Sequence, residues 1–216
     1  MTMVEALARF SLVFSTLLVI VDPVGVVPTF LGLTKGFTTH EVRRTVLKAA
    51  VAGAVVLLSF SLFGTYLFRF LAIDLNAFRA GGGLLLLLTA LEMLRGKGNE
   101  RKCSPTELSS VAEREDISFV PIAVPLLAGP GAITSIMVFS TDHQAEHAIN
   151  FSIIAMAVLA SFLISYVVLR ASSFLTKALG QSGVSVVKRL MGLILAALSI
   201  QLIAEGAIAL VKTAGL

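Results

Sequence analysis

Three long stretches without a charged residue constrain this chain more than any other feature of its sequence. Residues 49–68, 117–141 and 148–169 are 20, 25 and 22 residues long and contain no charged side chain. A helix rises about 1.5 Å per residue, so each stretch can cross a hydrocarbon core about 30 Å thick. In a soluble protein such helices would need amphipathic partners to cover them, and a chain that is 56% hydrophobic and 14% charged offers none. The sequence therefore predicts an all-α, polytopic membrane protein.

The hydropathy pattern predicts six transmembrane helices in two sets of three. A polar loop, residues 96–116, separates a first unit, residues 1–95, from a second unit, residues 117–216. The first span is predicted to be retained, because its apolar stretch continues without a signal-peptide cleavage site. The predicted spans are Leu7–Thr34, Val42–Leu71, Asn76–Leu94, Ile117–Thr141, Ala148–Arg170 and Val184–Val211.

Two N-terminal capping motifs mark helix starts in the polar segments. Thr38 and Glu41 have the spacing of a capping box, which predicts that the helix of the second span begins there. Ser104-Pro105 with Glu107 predicts the start of a short polar helix within the loop.

The distribution of Lys and Arg predicts how the helices are oriented. One side of the predicted bundle holds thirteen of these residues, including Lys188 and Arg189, and the other side holds four. Because cytoplasmic loops carry the excess of Lys and Arg, both termini are predicted to lie outside the cell (cytoplasmic) membrane. The same bias explains a pI near 9.5, so no nucleic-acid partner is predicted. The four residues on the outer side are Arg9, Arg69, Arg79 and Lys212.

A weak internal repeat relates the two units. When the second unit is shifted back by 107 to 110 residues, Pro130 falls on Pro23, and the Arg-x-x-Gly motif at residues 189–192 falls on the same motif at residues 79–82. Three spans is an odd number, so a second copy of the unit must enter the membrane in the opposite orientation. The sequence therefore predicts two inverted three-helix repeats, an architecture characteristic of secondary transporters.

Helix breaks are predicted near the centres of the first and fourth spans. Proline has no amide hydrogen and clashes with the carbonyl one turn earlier, so each break should split its helix near the bilayer midplane. The half-helix that follows turns free N–H groups toward the break, where a carboxylate can bind, and glycines let a ligand approach the backbone. Two kinks at matching depth favour a binding site over packing alone. The breaks consist of Asp22-Pro23-Val24-Gly25 with Pro28, and of Gly129-Pro130-Gly131.

Asp22 is the acidic residue predicted at mid-depth, where an unpaired charge costs at least about 2.5 kcal/mol, so it should face the bundle interior. One interpretation is that Asp22 only caps the half-helix that starts at Pro23. The other is that its charge binds a cation, a proton or a substrate ammonium, and the two roles are compatible. Arg79 and Arg189 are interpreted as interface anchors. Glu92 and Glu205 are interpreted as snorkelling or locally paired residues, with a role in coupling as the alternative.

The two breaks resemble motifs of the MarC family of bacterial and archaeal membrane proteins. Span count, topology and length agree with that family over essentially the whole chain. In many relatives the first glycine is followed by Asn, whereas this chain has Val26, so a polar contact at that position is not carried over. The matching segments are Asp22-Pro23-Val24-Gly25-Val26-Val27-Pro28-Thr29-Phe30 and Pro125-Leu126-Leu127-Ala128-Gly129-Pro130-Gly131-Ala132-Ile133-Thr134.

The resemblance implies transport of small neutral amino acids, glycine and alanine foremost, driven by a gradient of H⁺ or Na⁺. It also implies a substrate site at the motif positions. Apart from Thr134, the same residues follow from the helix-break argument above. The implied substrate-binding residues are Asp22, Pro23, Gly25, Pro28, Gly129, Pro130, Gly131 and Thr134.

A secondary transporter with a midplane site is thus the predicted function. The alternative is a non-transporting membrane interaction protein, in which the breaks serve helix packing alone. An intramembrane enzyme is disfavoured, because no span contains a His or Cys that could serve as nucleophile, base or metal ligand. The predicted partners are the amino acid, the coupling ion and the lipid bilayer. No cofactor or metal is predicted, and a homo-oligomer is compatible with the sequence.

Overall fold

The computed structural model describes residues 2–95, 122–124, 127–141 and 147–213, and those segments are almost entirely helical. No strand occurs in these segments, so the all-α prediction is confirmed. In chain order the helices are α1 (Met3–Val21), α2 (Pro23–Leu33), α3 (Thr39–Phe70), α4 (Leu75–Leu94), α5 (Pro130–Thr141), α6 (His147–Arg170) and α7 (Ser172–Thr213).

Five segments of the described chain are long and apolar enough to cross a membrane, and they match five of the six predicted spans within a few residues. The fourth predicted span is described only in part, as α5 and a single wider turn before it, in which the Ala128 N–H donates to the Ala123 carbonyl at 2.8 Å. The loop at 96–116, with its capping motif, lies outside the described residues. The five spanning segments are Met3–Leu33, Thr39–Phe70, Leu75–Leu94, Ile149–Arg170 and Ser182–Thr213.

The predicted capping box at the start of the second span is confirmed. The Glu41 N–H donates to the Thr38 hydroxyl at 3.3 Å, and the Thr38 N–H donates to the Glu41 carboxylate at 2.7 Å. Two otherwise unpaired N–H groups are thereby satisfied, which is why α3 begins at Thr39, ahead of its apolar stretch. Thr2 and Glu5 form the same reciprocal pair in front of α1.

The connection between the fifth and sixth spans differs from the prediction of a loop. It is helical from Ser172, and the helix is interrupted at Gly180, whose φ of 66° and ψ of 171° lie outside the helical region. Glycine adopts such a positive φ without a steric penalty, because it has no Cβ. The short helix before Gly180 was missed because its mixed polar and apolar residues show no sustained hydrophobic stretch.

The third and sixth spans, α4 and α7, form the most extensive helix pair in the described chain. A Cβ on Gly206 would lie 2.7 Å from the Asn76 carbonyl oxygen, and a Cβ on Gly192 would lie 3.0 Å from the Met93 Cβ. Small residues therefore let the two backbones approach closely. Because the start of α4 meets the end of α7 and the end of α4 meets an earlier part of α7, the two helices are antiparallel.

A continuous buried cluster of apolar side chains brings the two interrupted segments together. It includes Val21 and Val26 on either side of the first break, and Leu127 and Ala132 on either side of the second. Both breaks therefore border the same core.

Candidate functional site

The first break is confirmed as an interruption between two helices at Asp22. Its backbone is left-handed, with φ 43° and ψ 64°, and its N–H closes α1 by donating to the Leu18 carbonyl at 3.1 Å. Its carboxylate opens α2 by accepting the Gly25 N–H at 3.0 Å. Asp22 is only 8% exposed. The predicted capping role is therefore confirmed, and the charge of Asp22 lies within the protein.

The other residues of this break are used mainly for helix geometry. Pro23 is buried at the first position of α2, where its missing N–H costs no hydrogen bond. A Cβ on Gly25 would collide with the Asp22 carboxylate, so the space expected for a ligand is occupied by the cap itself. Pro28 lies within α2 but is exposed on the outer surface of the bundle, away from the buried face of that helix.

At the second break, α5 begins at Pro130, as predicted. The N–H groups of Ala132 and Ile133 both donate to the Gly129 carbonyl, at 3.0 and 3.1 Å. Pro130 has no N–H and is exposed, while Gly129 is half-buried. Two N–H groups of the first turn of α5 are therefore engaged within the helix and are not free to receive a substrate carboxylate.

Gly131 and Thr134 pack α5 against α4. A Cβ on Gly131 would collide with the Leu86 side chain, and a Cβ on Gly82 would collide with the Thr134 side chain. The Thr134 hydroxyl is fully buried and donates to the Pro130 carbonyl at 2.8 Å. These small residues explain how the two helices approach each other, and they place Leu86 beside the second break.

Ser135, adjacent to Thr134, is a polar residue of this region that the sequence interpretation did not single out. Its hydroxyl is buried, with the residue 2% exposed, and it has no hydrogen-bond partner within the described chain. A buried hydroxyl without a partner costs free energy, so this group is available to a ligand or a water molecule.

A cluster of three charges, two of them buried, lies beside the first break and is the main feature that the sequence interpretation missed. Lys188 of α7 is 8% exposed. Asp22 and Glu92 lie close enough for their negative charges to act on its ammonium group through space. Three separate spans therefore each contribute one charged side chain to the same electrostatic cluster.

Lys188 lies within the spanning segment Ser182–Thr213, in agreement with the predicted span, but its burial removes it from the basic residues that face the cytoplasm. Without it the count is twelve basic residues against four, so the predicted orientation is unchanged. A sequence signal was present, because Lys188 shares one helix face with three buried residues of α7, at helical spacing. Those residues are Val184, Leu195 and Ser199.

An ion pair joins α4 and α7 near the other end of their contact. The Arg79 guanidinium of α4 lies 3.5 Å from the Glu205 carboxylate of α7, whose other oxygen accepts a hydrogen bond from Gln201 at 2.8 Å. The side chains of Arg79 and Glu205 are 20% and 44% exposed. Arg79 is thus a partner of the sixth span and not an isolated interface anchor.

A separate polar region surrounds the start of α1. Arg9 donates to the Asn150 side-chain oxygen at 2.8 Å and to the Phe139 carbonyl at 3.0 Å. Ser61 and Ser140 share a hydrogen bond of 2.9 Å beside a cavity of about 310 Å³ that Asn150 also lines. These contacts bring α1, α3, α5 and α6 together away from the charged cluster.

The family is decided by comparison with known proteins. A family model described as MarC family integral membrane protein matches residues 7–211, which include both breaks and the whole charged cluster. The chain belongs to the MarC family. The resemblance inferred from the two break motifs is therefore confirmed.

Relatives of this MarC family member are similar along almost their entire length. A UPF0056 membrane protein of Methanocaldococcus jannaschii is 36% identical, covering 93% of this chain and 96% of the relative. UPF0056 membrane proteins of Aquifex aeolicus and of Escherichia coli, the latter named YhcE, are each 35% identical and cover 89% of both chains. No solved structure matches.

Proposed function

We propose that this MarC family protein is a secondary transporter that moves small neutral amino acids, glycine and alanine foremost, across the cell membrane, coupled to an H⁺ or Na⁺ gradient. The observation that carries the proposal is the buried carboxylate of Asp22 at a helix break, facing charges from two other spans. Charges within a bilayer are costly, and they concentrate on substrate and ion pathways. Helix packing alone requires no such group.

The proposed architecture is a pair of inverted three-helix repeats, and the contacts between α4 and α7 support it. These are the third helices of the two units, and they run antiparallel, as copies of opposite orientation must. Near one end of the pair Arg79 meets Glu205, and near the other Lys188 attracts Glu92. Each spanning segment thus contributes a basic residue near its start and an acidic residue toward its end, which is the reciprocity expected around a two-fold axis.

The proposed substrate is small because little room exists beside the breaks. Gly25 is crowded by Asp22 and Gly131 by Leu86, and the surrounding core residues are mostly Val, Ala and Leu. A substrate with a bulky side chain would have to displace several tightly packed groups. Backbone interrupted within a span is also a usual place for a transporter to bind its substrate.

Ligand-dependent stabilisation tests the proposal against the alternative of a non-transporting interaction protein. Glycine or alanine at 100 times its dissociation constant should stabilise the detergent-purified protein by about 2.7 kcal/mol, because only the folded state binds it. A rise in melting temperature with amino-acid concentration is the expected result. A bulky amino acid, tested at the same concentrations, serves as the control. A melting temperature that no amino acid changes would favour the alternative.

The proposed orientation, with both termini outside the cell, can be tested with the chain's own single thiol. Cys103 lies in the loop at 96–116, outside the described residues, and this loop is proposed to face the cytoplasm. A membrane-impermeant maleimide should therefore label Cys103 only after the cells are opened. Equal labelling rates in intact and opened cells would contradict the orientation.

A further inference from the structure

Lys188 lies at a position where a lysine side chain destabilises the protein unless its charge has a function. It belongs to a membrane-spanning segment, and its side chain is almost fully buried. Ile20, two residues before Asp22, and Met191, three residues after Lys188, pack against the same small apolar cluster. That cluster is formed by Leu86, Ala90, Met93 and Leu195. The first break and the Lys188 segment of α7 are therefore held on a common surface of α4.

The charges of this cluster are not equal in number. Lys188 contributes one positive charge, while Asp22 and Glu92, both of which attract it, contribute two negative charges. In a low-dielectric interior, removal of one member of such a group leaves an uncompensated charge, which is strongly destabilising. A ligand can enter the cluster at low cost if it brings one charge of each sign, because every group then keeps a partner.

The second break is a weaker candidate for binding a substrate carboxylate. Pro130 lacks an N–H, the Ala132 and Ile133 N–H groups donate to Gly129, and Leu86 packs against Gly131. A lysine ammonium has three donors and a full positive charge, and charge-assisted hydrogen bonds to a carboxylate are roughly twice as strong as neutral ones. Lys188 is the better carboxylate partner on these grounds.

We propose that Lys188 binds the carboxylate of the transported amino acid while Asp22 binds its ammonium group, so that the site selects zwitterions. This inference rests on the proposed transport function. In the substrate-free protein the single positive charge of Lys188 offsets part of the negative charge of Asp22 and Glu92. When the substrate enters, its ammonium pairs with Asp22 and its carboxylate pairs with Lys188. The net charge of the cluster stays constant.

Binding of three related solutes tests this assignment. Alanine carries both charges, alaninamide lacks the carboxylate, and propionate lacks the ammonium group. The purified wild-type protein should bind alanine at least about tenfold more tightly than either analogue, measured by calorimetry or thermal stabilisation. In Lys188→Gln, alanine affinity should fall at least about tenfold, and the preference for alanine over alaninamide should shrink toward unity.

Two further variants keep the test decisive. Arg189→Gln removes the exposed basic neighbour and should leave both affinity and preference unchanged. Lys188→Gln with Glu92→Gln restores the net charge of the cluster, so it answers the question if the single variant does not fold. An undiminished preference for alanine over alaninamide in either folded Lys188 variant would overturn the assignment and leave the transport proposal intact. Absence of alanine binding to the wild-type protein would overturn both.

Discussion

Asp22→Asn should leave the protein folded and should reduce amino-acid affinity and transport at least tenfold. Asn caps a helix about as well as Asp, and it tolerates the left-handed backbone conformation that this position requires. The hydrogen bond to the Gly25 N–H can therefore remain, while the charge that faces Lys188 is lost. Each 1.4 kcal/mol of lost interaction with the substrate corresponds to about a tenfold loss of affinity.

The chain offers a matched control for this variant. Asp74 is a second capping aspartate, which accepts the Asn76 and Ala77 N–H groups at 2.6 and 3.1 Å, but it is exposed at the start of α4. Asp74→Asn should transport normally. Asp22→Ala should lose transport and also about 1 kcal/mol of stability with the cap. Wild-type affinity and transport in Asp22→Asn would show that Asp22 is only a cap.

Gly131→Ala should lower the stability and the transport activity together, because its Cβ would enter space held by the Leu86 side chain, which is 4% exposed. Inserting a carbon into a packed interior costs about 1–3 kcal/mol. Leu86→Ala alone should cost about 2–5 kcal/mol through the cavity it leaves. The double variant should be more stable than the sum of the two effects predicts, by about 0.5–3 kcal/mol, measured by denaturant titration in mixed micelles.

Gly81→Ala is the control for this experiment, because a Cβ at that exposed position of α4 meets no atom within 4 Å. It should be neutral or slightly stabilising, since Ala favours a helix over Gly by about 1 kcal/mol. Strict additivity of the Gly131 and Leu86 effects would contradict the packing role of Gly131. If Gly131→Ala instead kept its stability but lost substrate binding, a ligand would be shown to approach the backbone there.

Local chemistry made much of the fold predictable. The Thr38–Glu41 box and the proline at Pro23 act over a few residues, so the start of α3 and the break at Asp22 follow from neighbours in the sequence. Long apolar stretches likewise fix the existence of spans, because the bilayer sets their length. A glycine in the sequence is less informative about the site, since Gly25 and Gly131 are required for close contacts that only the assembled structure reveals.

Contacts between distant spans were not predictable in the same way. Lys188 was counted with the basic residues of the cytoplasmic side because it lies four residues into the predicted span, beside Arg189, and its burial arises only when the helices pack together. The pairing of Arg79 with Glu205 similarly joins residues 126 positions apart, through the antiparallel contact of α4 and α7. Arg79 and Glu205 carry no local pattern that reveals their pairing, whereas the helical spacing of Lys188 with buried residues of α7 was a weak signal of its burial.

Counterflow in proteoliposomes tests the central claim most directly. Vesicles containing the purified protein are loaded with unlabelled glycine and diluted into a trace of radiolabelled glycine, and then the same is done with alanine. Wild-type vesicles should accumulate label transiently above the level of protein-free vesicles, whereas Asp22→Asn vesicles should not. In wild-type vesicles an imposed H⁺ or Na⁺ gradient should also drive net movement of the amino acid. Failure of folded wild-type protein to accumulate any small neutral amino acid would contradict the proposed transport function.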